Sequence, residues 1–123
     1  MAHTRMCVAL VVVVGLAGCS QPQPTAVVPE GPPVPFTLGT FERNGQVFVG
    51  LVLGDTQVVD IVQASAAVEA TDAAAPRLAA PGDMTQLIAR YETEWKARLG
   101  AIARTVSAAS SAPAYAYDRA SLR

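Results

Sequence analysis

A chain of 123 residues is one domain at most, and its formal net charge of −1 excludes a polyanion such as nucleic acid as an electrostatic partner. Apolar residues reach 51% but aromatics only 6%, so alanine carries much of the apolar share and large core-building side chains are few. Both cysteines, Cys7 and Cys19, lie near the start, which excludes a disulfide framework for the rest of the chain.

The first element is the leader "MAHTRMCVALVVVVGLAGCSQ". One charge, Arg5, precedes an apolar run from Met6 to Leu16. That run is about 11 residues, against the roughly 20 that a spanning helix needs. A charged start, a short apolar run and a small-residue exit describe a secretory signal peptide over residues 1–18. An uncleaved signal anchor or a misplaced start codon would carry part of the same pattern. The four residues Leu16, Ala17, Gly18 and Cys19 resemble the lipobox of bacterial lipoproteins. The resemblance implies cleavage before Cys19, a diacylglycerol on its sulfur and an acylated amino terminus, so Cys19 is the expected lipid-attachment site. Cleavage there removes His3, Arg5 and Cys7, and leaves a chain with no histidine. The expected place is the cell envelope, lipid-anchored on the periplasmic side; Ser20, rather than aspartate, after the cysteine favours the outer membrane.

Residues 19–35 form the next element. Pro22, Pro24, Pro29, Pro32, Pro33 and Pro35 fix φ and remove donors, so helix and central strand are both excluded. The expectation is an extended tether that holds a folded body off the membrane.

Three strands follow. Phe36 to Arg43 is the first, and Asn44-Gly45 is a strong signal for a tight hairpin turn because both central positions need φ > 0. Gln46 to Leu53 is the second strand, with Val47, Val49, Leu51 and Leu53 on one face and Phe48 and Val52 on the other. A strand that is apolar on both faces expects cover on both. Gly54-Asp55 makes the second turn, and Thr56 to Ile61 is the third strand. Asp60 at its end is placed either to cap the next helix, which aspartate favours, or to act as an acid.

Val62 to Ala75 reads as an alanine-rich helix that stops before Pro76. A second helix opens at Asp83, with Gln86 at capping-box spacing. Met84, Leu87, Ile88, Tyr91, Trp95, Leu99 and Ile102 recur at three- and four-residue steps, which predicts one amphipathic helix over 84–104. Trp95 on that stripe is expected in the core. Glu92–Lys96 and Glu94–Arg98 are spaced i, i+4, which predicts two ion pairs on a solvated face. Residues 107–123 read as a linker with a period-two hint at Tyr115 and Tyr117. The fold class expected is α+β: a three-stranded antiparallel meander, a short helix and one long amphipathic helix. With a single helical layer, one sheet face is expected to be left open.

"TFERNGQVFVGLVLGDTQVVDI", the loop with Pro81, the helix opening at Met84 and the "YDRASLR" tail resemble the small N-terminal domain of the fumarylacetoacetate hydrolase family. The resemblance spans residues 37 to about 105 and assigns residues 36–106 to that domain. It implies that 107–123 lead towards a missing C-terminal catalytic domain. Family members cleave or isomerise oxo acids with Mg²⁺ or a similar ion, held by carboxylates of that larger domain. The resemblance therefore implies no catalytic residue and no metal ligand in this chain, and as partners the membrane, the missing domain or a second copy. The residues agree. Without histidine or thiol no Ser–His or Cys–His pair forms, the acids are scattered, and no glycine-rich phosphate loop is present. A self-sufficient periplasmic lipoprotein with a binding or envelope-structural role is the alternative.

Overall fold

Two left-handed turns set the sheet. In the computed structural model, which describes residues 32–123, Asn44 and Gly45 take φ of 53° and 78°, and Gly54 and Asp55 take 57° and 63°. These turns match the right-handed twist of the strands they join. They connect β1 (Thr37–Arg43), β2 (Gln46–Leu53) and β3 (Gln57–Asp60) as an antiparallel meander. The signal peptide, Cys19 and the tether up to residue 31 lie outside the described residues.

The α+β class stands, with one strand more than the sequence reading expects. Ala116–Asp118 form β4, which pairs antiparallel with β3, so the sheet order is β1-β2-β3-β4. Residues expected as a linker are thus built into the sheet. A 3₁₀ turn, Arg119–Ser121, follows, and the main chain of Arg123 exchanges two hydrogen bonds with Glu42 of β1, at 2.9 and 3.2 Å.

Helices cover one face. Helix α1 (Ile61–Thr71) is shorter than the expected 62–75 and ends on Asp72, whose N–H bonds Val68 O. The rod expected over 84–104 is interrupted: α2 (Met84–Ala89) ends at Arg90, a π-helical turn spans Tyr91–Trp95, and α3 (Lys96–Ala108) completes it. The cause is the spacing of the stripe. Four α-helical residues turn about 400°, so each step of four drifts by about 40°. Leu87, Tyr91, Trp95 and Leu99 are successive steps of four, and one wide turn takes up most of the drift. Leu87, Trp95 and Leu99 are fully buried as a result, whereas Ile88 falls off the stripe and is 65% exposed. They pack with Val49, Leu51, Leu53, Val59, Ile61, Ala64, Ile102, Ala103 and Val106 in one core.

The other face is covered without helices, against the expectation of an open one. Val52 and Val58 are buried there. Phe41 folds across the strands so closely that a Cβ on Gly50 would lie 2.7 Å from its ring and 2.5 Å from Val58. Glycine at 39 and 50 is the room this ring needs. Phe48 lies 6.1 Å from Phe41 and Tyr117 of β4 lies 5.9 Å from Phe48, centroid to centroid, so a row of three aromatic rings runs over the sheet. Val47, assigned to the helix-facing side, extends past the helices and is 68% exposed.

Candidate functional site

The aromatic row ends at a groove. Its position follows from the β1–β2 hairpin, which carries Arg43 at its tip beside Asn44, and from β4, which places Tyr117 opposite Val58. The Arg43 guanidinium lies 4.2 Å from the Tyr117 ring centroid, within cation–π range. Tyr117 also accepts a 3.2 Å hydrogen bond from Gln63 Nε2 at the start of α1. The resulting depression, of about 360 Å³, is lined by Arg43, Asn44, Gln46, Val47, Phe48, Asp60, Gln63 and Tyr117. A second depression of about 540 Å³ adjoins it through Arg43 and Asn44, and adds Glu42, Gly45, Ser121 and Arg123.

Asp60 resolves to the cap. Its Oδ1 accepts the N–H groups of Val62 and Gln63 at 3.0 and 3.2 Å, and its Oδ2 accepts Gln63 Nε2 at 2.9 Å. The carboxylate satisfies the orphan donors of the helix start, and its negative charge suits the positive end of the helix dipole. Asp83 does the same for α2, accepting Gln86 N at 2.8 Å, while Gln86 Oε1 accepts Gly82 N at 2.9 Å. The reciprocal half of the capping box therefore lands one residue upstream.

Arg98 is the residue that pattern reading misplaces. It was expected to pair with Glu94 in solvent; instead Arg90 pairs with Glu94 at 3.0 Å, and Arg98 is 5% exposed. Its Nη1 donates to Ser65 Oγ at 2.5 Å, Ser65 O at 3.3 Å and Glu69 Oε1 at 3.1 Å, and its Nη2 donates to Pro76 O. One guanidinium thus ties α3 to α1 and to the loop behind it. The Leu78 N–H, then the Arg98 guanidinium, hold the Glu69 carboxyl below its ordinary pKa. The signal that points here is the i, i+3 step from Trp95 to Arg98, which turns about 300° and leaves Arg98 within about 60° of the buried indole. The expected Glu92–Lys96 pair is present at 3.0 Å, and Glu92 raises the Lys96 pKa.

Trp95 is fully buried, as expected, and its indole N–H meets no acceptor among the described residues. Among the described residues no three His, Cys, Asp or Glu side chains converge as a metal cluster would require. No helix of the described residues is long and apolar enough to cross a membrane. Comparison with protein families, with curated proteins and with solved structures gave no match.

Proposed function

We propose that this chain is the non-catalytic N-terminal module of a fumarylacetoacetate-hydrolase-like protein, held at the cell envelope by a lipidated Cys19. The supporting observation is the order of elements. A meander ends in Asp60 as the cap of α1, a loop through Pro81 follows, and a helix opens at Met84, in the sequence that the resemblance implies. In this reading hydrolysis of oxo acids, and the Mg²⁺ or similar ion it uses, belong to a further domain. Three of the carboxylates are engaged within the fold: Asp60 and Asp83 cap helices and Glu69 holds Arg98. Its partners are then the membrane, through Cys19, and either the catalytic domain or a second copy, with outer-membrane placement favoured.

The test has two arms. Labelled palmitate fed to a bacterial host enters the wild-type chain and not the Cys19→Ala variant; no label in the wild type overturns the anchor. The DNA beyond codon 123 encodes, in frame, an acidic metal-binding domain; an immediate stop overturns the enzyme parentage. That second outcome would favour a self-sufficient periplasmic lipoprotein with a binding role, the reading to which the Arg43–Tyr117 groove gives weight.

A further inference from the structure

We propose that the groove between the β1–β2 hairpin and β4 binds a small organic carboxylate with a planar apolar body. Arg43 pairs with no carboxylate among the described residues, and its guanidinium is held in place over Tyr117 at 4.2 Å. A planar guanidinium on a ring is a pre-oriented fork, suited to two parallel bonds to a carboxylate. The Tyr117 hydroxyl already accepts from Gln63, so its own O–H remains to donate. Asp60, the carboxylate in the groove lining, has both oxygens engaged by α1 and Gln63. The Arg43 guanidinium and the Tyr117 O–H thus stand side by side as two donors, and an anion complements them. The half-buried Phe48, packed edge-on to Tyr117, supplies an apolar wall beside those donors, and that wall selects a flat apolar body over a bare inorganic anion.

This assignment rests on the groove alone and is independent of the enzyme parentage. The test is a benzoate titration of the full chain in detergent micelles, followed by the amide signals of Asn44, Gly45 and Tyr117. Wild type gives saturable shifts at these three positions. Arg43→Gln weakens binding about tenfold or more, the value of one charge-assisted hydrogen bond. Arg43→Lys, which keeps the charge but not the fork, falls between the two. Inorganic phosphate binds more weakly than benzoate. Absence of saturable shifts, benzoate binding unchanged in Arg43→Gln, or phosphate binding as tightly as benzoate overturns the proposal. Both variants replace an exposed side chain, and an unchanged thermal melt separates loss of binding from loss of fold.

Discussion

Arg98 brings a permanent positive charge into the packed side of α3, and four oxygens meet it there. Removing one member of such a set costs more than the set contributes, because the remaining groups stay buried and unpaired. Arg98→Ala should therefore lower stability by roughly 3 kcal/mol, read as a shift of the denaturant midpoint, whereas Lys96→Ala on the exposed pair should change it by well under about 1 kcal/mol. Equal effects would show that Arg98 is solvated. Glu69 makes the same site sensitive to acid. Its folded pKa lies below the ordinary 4.5, so its contribution is fully present above that value and is lost as pH falls through the lower folded pKa. The wild type should lose stability on acidification below pH 4.5 more steeply than Glu69→Gln, which has no proton to take up at that position. Trp95 separates size from polarity. Trp95→Ala should cost about 3–5 kcal/mol for the cavity, while Trp95→Phe, which discards an unpartnered N–H, should cost much less. A Phe variant as unstable as the Ala variant would mean that the indole N–H is satisfied after all.

The elements divide by how local their causes are. The two turns and both helix caps are written in neighbouring residues, Asn44-Gly45, Gly54-Asp55, Asp60 and Asp83, and were legible in the sequence because φ > 0 and orphan N–H groups are local demands. The three-residue strand β4 was legible only as a period-two hint at Tyr115 and Tyr117, without its partner. Its pairing with β3 spans more than fifty residues of chain, and "AYD" is too short for its pattern to name a partner strand. The groove escaped for the same reason, since Arg43, Gln63 and Tyr117 come from three separate elements. The π turn stands between these cases: the steps of four from Leu87 to Leu99 hold its cause, but a period of 3.6 read by eye absorbs them. That account predicts an asymmetry between two deletions. Deleting Thr93 shortens the wide turn to an α turn and keeps Leu87, Tyr91, Trp95 and Leu99 on one face, so the fold should survive. Deleting Ala97 in α3 turns every residue from Arg98 onward by about 100° relative to Leu87 and Trp95, which carries the buried Ile102 and Val106 off the stripe, so the fold should be lost. Circular dichroism melts of both variants decide the matter, and the reverse order would refute the drift argument. On the sheet, Gly50→Ala should cost about 1–3 kcal/mol by overpacking, because the new Cβ meets Phe41 and Val58 at 2.7 and 2.5 Å; a neutral Gly50→Ala would show that the ring moves freely.

Across the whole molecule, the sheet has two faces and the helices serve one. The other is closed from within by Phe41, Phe48 and Tyr117, and the last of these arrives from a tail segment that also bonds β1 through Arg123. The tail is therefore a wall of the fold. A domain this small rarely holds more than about 3–5 kcal/mol in reserve. Removing residues 112–123 takes away β4, frees the edge of β3 and uncovers part of Val58, now fully buried. Lost ladder bonds and newly exposed apolar surface together cost roughly 3 kcal/mol or more, which is most of that reserve. The truncated chain should melt at least about 12 °C lower and bind a hydrophobic dye that the intact chain leaves in solution. A truncated chain that melts with the wild type and ignores the dye would mean that Phe41 and Phe48 close the outer face unaided, and that β4 rests on the sheet without supporting it.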